Sequence, residues 1–254
     1  MKSIISLNES DLTCIVSIVG PALFFILYWS ITCSEKIKKY FHKEQSSDAG
    51  EIKYILFIKY AGLFILGFFP GILFWMVLPH YSLGDYGLSF SKGTNIISFY
   101  WISALGFIII VMNWFAARRE KTFLMYPQMR VKEWDAKLIV TYSMAWSAYL
   151  FGYELLFRGF LFFPLVNTLG IWPAISINIA LYSISHIPKG LDETVGAVLL
   201  GTVLCIATLQ TGTIWVAFTA HVLLALSNSL FALIFHPEMR IVKIRKSEMK
   251  LINY

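Results

Sequence analysis

The sequence predicts an all-α protein, a polytopic membrane helical bundle of about seven transmembrane helices. Of its 254 residues 57% are hydrophobic, 17% aromatic and only 14% charged, and the mean hydropathy is +0.67. That composition leaves too little polar side chain to coat a water-soluble domain of this length. The apolar residues gather into runs of roughly 20, the length that crosses a hydrocarbon core of ~30 Å. Most of the charge lies between those runs.

The runs fall at 12–33, 54–78, 96–117, 137–165, 171–187, 194–210 and 213–236. The first follows Glu9 and Asp11 rather than a basic stretch, is too long for the apolar part of a secretory signal and lacks a small-residue cleavage site, so it reads as a retained helix. The second carries Lys59, close enough to the preceding basic loop for its ammonium to snorkel outward. Cys14, Cys33 and Cys205 have neither C-x-x-C nor metal-site spacing, and packing is the expected role of all three. No internal repeat or low-complexity linker divides the chain. The expected organisation is N-terminal transmembrane helices and basic loops over 1–136, a core over 137–236 that holds the ionisable candidates within the spans, and a basic cytoplasmic tail over 237–254.

The net charge of +6 is placed unevenly. Lys36, Lys38, Lys39, Lys43 and Lys53 lie in the 34–53 loop; Arg118, Arg119, Lys121, Arg130, Lys132 and Lys137 in the 118–137 loop; Arg240, Lys243, Arg245, Lys246 and Lys250 in the tail. With seven spans these segments share one side, which the positive-inside rule makes cytoplasmic. Such juxtamembrane clusters set topology or touch anionic lipid, so the bilayer is the expected partner and nucleic acid is not. A bacterial cytoplasmic membrane is the preferred location, the endoplasmic reticulum the alternative.

Ionisable residues inside spans are expensive and mark sites or polar pathways. Glu154 and Arg158, four apart, share a helix face and can pair. By itself that pair serves packing or supplies a carboxylate base. His186 ends the fifth run and His221 lies about two turns into the seventh; imidazole at such places ligates a metal, polarises a carbonyl or holds an oxyanion. Glu193, seven residues after His186, is either a second carboxylate base or a first-turn acid complementing a helix dipole. No H-E-x-x-H zinc motif is present.

The stretches Y-E-L-L-F-R (153–158), Y-S-I-S-H (182–186) and H-V-L-L-A (221–225) resemble the motifs E-E-x-x-x-R, F-x-x-x-H and H-x-x-x-N of the CAAX-processing and bacteriocin-processing (CPBP, or Abi) intramembrane proteases. Arg158-Gly159-Phe160-Leu161 and Thr211-Gly212-Thr213-Ile214-Trp215 add to the resemblance, which covers about residues 140–235. It implies a membrane-embedded endopeptidase acting on a membrane-associated or peptide substrate. In that family the first glutamate activates water, and the histidines support the scissile carbonyl. Here that glutamate is Tyr153 and the asparagine position is Ala225. Tyrosine, with a reference pKa of ~10, cannot replace a carboxylate base near neutral pH. The base is then Glu154, with Tyr153 and Arg158 beside it, or Glu193, while Asn228 can stand in for the asparagine. The cofactor is open: hydrolysis proceeds by carboxylate catalysis alone or with a divalent metal such as zinc, for which His186 and His221 are candidate ligands. An inactive CPBP-like scaffold or immunity protein is the second expectation, a proton-coupled carrier the third.

Depth poses a problem for this site. Counted from Lys137, Glu154 lies 17 residues along the fourth span, roughly 25 Å, whereas His186 ends the fifth. They meet if 132–146 lies partly along the interface and the crossing begins nearer Ser147, or if Gly152 and Gly159 bend the helix.

Overall fold

The computed structural model describes residues 7–43, 47–89 and 95–244. Nine helices are present among them. In chain order they are α1 (Glu9–Thr32), α2 (Glu35–His42), α3 (Asp48–Val77), α4 (Asn95–Ala116), α5 (Glu120–Met125), α6 (Ala136–Leu169), α7 (Ile171–Ile184), α8 (Leu191–Thr211) and α9 (Trp215–Phe235). Two short strands, β1 (Glu133–Trp134) and β2 (Arg240–Ile241), pair in parallel. Six helices, α1, α3, α4, α6, α8 and α9, are long and apolar enough to cross a membrane. The remaining run expected to span, 171–187, forms the 14-residue α7, which ends at Ile184. Part of the 34–53 loop is helical, because Ser34 caps α2 by accepting from the Ile37 amide. Arg245, Lys246 and Lys250 of the basic tail lie outside the described residues.

α6 is the central helix. Its apolar window is 78% buried, against 17–39% for the other five long helices, so the rest of the bundle packs around it. Asp135 caps its start by accepting from the Leu138 amide at 2.8 Å. From Gly152 to Phe162 every residue is buried. Directly after Glu154 the hydrogen-bond ladder widens to a π-helical stretch, Leu155–Phe162, a deviation often found at functional sites. Asn178 of α7 donates to the Phe157 carbonyl inside that stretch at 2.6 Å, and the Cys205 thiol of α8 donates to the Asn178 carbonyl oxygen at 3.3 Å.

α3 reaches α6 at two glycines. A Cβ on Gly152 would lie 3.0 Å from Leu63 Cα and 3.1 Å from the Gly62 carbonyl oxygen, and one on Gly67 would lie 3.1 Å from Gly152 Cα. Backbone cannot yield as a side-chain tip can. Gly152→Ala is expected to push α3 off α6 and cost about 1–3 kcal/mol. A lowered midpoint of thermal unfolding in detergent checks it; an unchanged midpoint would show that the backbones separate freely.

The depth problem has a solution other than a break at Ser147. α6 runs without interruption past that residue, so the expected interfacial segment ending there does not form a separate element. The chain instead turns back at Gly170, whose φ of 85° and ψ of 174° only glycine adopts readily. Glu154 stands 16 residues before Gly170 and His186 16 residues after it. Two arms of equal length, each about 24 Å at helical rise, return His186 to the level of Glu154. The short α7 needs no full crossing.

Lys59 also departs from expectation. The helix carrying it begins at Asp48 rather than 54, which sets Lys59 deeper than the snorkelling reading assumed. Its side chain turns inward, is 3% exposed, and places Nζ 3.3 Å from the centre of the Trp146 ring.

Candidate active site

Three elements bring the candidate residues together: the middle of α6, the turn after α7 and the second turn of α9. Glu154 is fully buried. Its Oε1 lies 2.6 Å from His221 Nδ1, and its Oε2 lies 3.4 Å from Arg158 Nε. The Arg158 guanidinium, also fully buried, stacks on the Tyr182 ring with Cζ 4.3 Å from the centroid. Arg158 finds no hydrogen-bond acceptor among the described residues, so the Glu154 carboxylate is its compensating charge there.

Two neighbouring contacts set the histidine tautomers. A carboxylate faces His221 Nδ1, so that nitrogen carries the proton and donates it. A carbonyl oxygen, that of Tyr182, faces His186 Nδ1 at 2.9 Å and imposes the same tautomer. In both rings the lone pair is therefore on Nε2. Ser185 Oγ donates to the Tyr182 carbonyl at 2.7 Å, and Tyr153 donates its hydroxyl to Ser185 Oγ at 2.8 Å. The phenol thus holds the α6 side of the site to the turn carrying His186.

Tyr153, Ser185, His186 and His221 line one cavity of about 400 Å³, together with Lys59, Lys189 and Gln128. Glu154 is not among its lining residues. The carboxylate is joined to the cavity wall by its hydrogen bond from His221 Nδ1. Ala225 packs into a buried apolar cluster with Trp146 and Leu150.

Glu193 and Asn228 occupy a different place. They line a second cavity of about 640 Å³, mostly apolar, between α4, α8 and α9, with His186 and Tyr126 on the wall common to both. Glu193 lies in the first turn of α8, accepts from the Tyr126 hydroxyl at 3.1 Å and lies 4.0 Å from Lys189 Nζ. Burial, reinforced by the Glu193 carboxylate, pushes the Tyr126 phenol above its usual range, so it stays protonated and donates to Glu193 at all ordinary pH.

A catalytic zinc takes three protein ligands. Among the described residues no group of three or more His, Cys, Asp or Glu is arranged to hold a metal. His221 and His186 each offer one nitrogen, and the nearest carboxylate is already committed to His221 and Arg158. The donor set does not fit such a metal.

Sequence reasoning missed Ser185 and Lys59. Ser185 stands beside His186 in the motif, yet its hydroxyl matters only once α7 ends there. Lys59 was visible as a charge in an apolar run, but its depth depended on where the helix begins.

A family model described as Type II CAAX prenyl endopeptidase Rce1-like matches residues 135–227. That segment runs from the cap of α6 into α9 and contains Glu154, Arg158, His186, Glu193 and His221. No curated relative and no solved structure matches the chain. The same three motifs that resemble the family in sequence converge in space on one buried cluster, and residues 135–227, rather more than a third of the chain, are similar to the Rce1-like CAAX prenyl endopeptidases.

Proposed function

We propose that this protein is an integral membrane endopeptidase in which His221, rather than a carboxylate, is the general base. The observation that carries this is the 2.6 Å contact between His221 Nδ1 and a fully buried Glu154 that does not itself line the cavity. His221 Nε2 takes a proton from water as the oxygen attacks the scissile carbonyl. Glu154 keeps the ring in the required tautomer and stabilises the imidazolium that forms, the role of the acid in an acid–histidine pair. The imidazolium then returns the proton to the leaving amine as the C–N bond breaks. His186 Nε2 supplies a second acceptor for the water, and the Lys189 ammonium, lining the same cavity, is the donor for the developing oxyanion. No step uses a metal. Glu193, turned to Tyr126 in the second cavity, is a wall residue in this reading.

The substrate is a peptide or a membrane-associated protein segment. The cavity is lined by residues near the helix ends that border the basic loops, including Cys33, Tyr54 and Gln128. We assign those loops to the cytoplasmic side, in a bacterial cytoplasmic membrane, so substrate enters from the cytoplasm.

A second reading, an inactive CPBP-like scaffold, has one observation in its favour: Ala225 is packed in apolar surroundings where the family carries asparagine. The test is digestion of a membrane-peptide library by the protein in nanodiscs in H2(18)O, comparing wild type with Glu154→Gln. Heavy oxygen in a new carboxylate made by wild type, and its loss in Glu154→Gln, is the expected result. Folded wild type that yields no labelled product from any library member would leave the scaffold.

A further inference from the structure

The cavity that holds His186 and His221 carries two cations, Lys59 and Lys189, and no Asp or Glu among its lining residues. Lys189 lies 4.0 Å from the Glu193 carboxylate. Lys59 has no such partner: it is 97% buried, and its only described contacts are the faces of Trp146 and Tyr149, with Nζ 3.3 and 4.5 Å from their centroids. An ammonium withdrawn from water and facing only rings keeps its three donors unused. Burial penalises the charged form of such an amine unless an opposite charge is brought to it, and the cavity that Lys59 lines is open to supply one.

A second unused group lines the same space. The Oε1 of Gln128 is buried and accepts no hydrogen bond among the described residues. The cavity therefore presents an unmatched amine and an unmatched acceptor, and complements a molecule that brings both a carboxylate and an N–H. A peptide has both; the phosphatidylglycerol and phosphatidylcholine headgroups have neither a carboxylate nor an N–H.

We propose that Lys59 is a specificity-determining residue that selects ligands presenting a carboxylate, with the Gln128 amide accepting a backbone N–H of the same ligand. This rests on the endopeptidase reading only for calling the ligand a substrate; the binding itself stands apart from turnover. Ring contacts lead from Lys59 to His221: Tyr149 meets Tyr153 in a tilted contact with centroids 5.8 Å apart, and Tyr153 meets His221 edge to face at 5.5 Å. The carboxylate is thereby held at one end of this aromatic wall and a peptide bond at the other. Two sources of carboxylate fit, a free chain terminus and an Asp or Glu side chain.

The experiment uses the full chain in phosphatidylcholine nanodiscs, in the His221→Ala background, which removes the proposed base so that no hydrolysis confuses binding and leaves the Glu154–Arg158 pair in place. Apolar N-acetylated tetrapeptides are titrated and tryptophan emission is followed. One pair differs as terminal acid against terminal amide; a second pair, both amidated, carries Asp against Asn. The carboxylate member of at least one pair is expected to bind about tenfold tighter or more. The difference should vanish in Lys59→Met and persist in Lys59→Arg, both checked for an unchanged melting midpoint. Preference in the first pair assigns a chain terminus, in the second a side chain, and either supports the proposal. Equal affinities in both pairs, or a preference that survives Lys59→Met, overturns it. So does saturable binding of phosphatidylglycerol with no discrimination between peptides. Catalysis enters none of these readouts, so a failed peptidase assay leaves the result standing.

Discussion

Replacing Glu154 by Leu while Arg158 remains is expected to destabilise the protein by about 3–5 kcal/mol, because it strands an uncompensated buried charge. Arg158 is fully buried, has no hydrogen-bond acceptor among the described residues, and meets Glu154 at 3.4 Å. The double replacement Glu154→Leu with Arg158→Met removes both charges and should recover most of that loss, since a buried pair exchanged for apolar residues of similar size is often neutral. Equilibrium unfolding in mixed micelles of the two single variants and the double variant completes the cycle. If the double variant loses as much as the sum of the singles, the pair is not what compensates the guanidinium.

The second large effect is catalytic. His221→Ala is expected to lower kcat by about 10²- to 10⁴-fold, the usual contribution of a positioned base, with KM changed little because the ring is small within the cavity. Glu193→Gln should leave kcat within a few-fold, since that carboxylate faces Tyr126 in the second cavity. Single-turnover rates of both variants on one identified substrate decide between them. A collapse in Glu193→Gln with His221→Ala intact would move the base to α8.

Much of the site was legible because its ionisable residues stand in runs where charge is costly. Glu154, Arg158, His186 and His221 announce themselves in that way; the structure sets the first two on α6, His186 in the turn after α7 and His221 on α9. What the sequence did not yield was depth. A span read from hydropathy has ends uncertain by a turn or more. The start of α3 was placed six residues late, and Lys59 was therefore taken for a boundary residue. The 171–187 run was treated as a crossing, which created a conflict that the 14-residue α7 does not have. The equal arms about Gly170 can be counted from sequence, but only after one knows that α6 continues to Leu169 and the chain reverses there. The choice of His221 over Glu154 as the residue facing water depends on which of two hydrogen-bonded groups is nearer the cavity, a matter of side-chain placement that spacing does not encode.

The small parallel pair β1 and β2 has a mechanical meaning. Glu133–Trp134 precedes α6 and Arg240–Ile241 follows α9, and the two are joined by Arg240 N to the Lys132 carbonyl at 2.9 Å, Val242 N to the Trp134 carbonyl at 2.8 Å, and the Arg240 guanidinium to the Glu133 carboxylate at 2.8 Å. The helices that carry the two halves of the dyad are thus measured from one shared benchmark beyond their ends. A slip of a single residue along either helix is about 1.5 Å, more than a 2.6 Å hydrogen bond can absorb. The segment after α9 accordingly works as a gauge block: it sets the height of His221 against Glu154 from outside the apolar spans, at a distance from the chemistry.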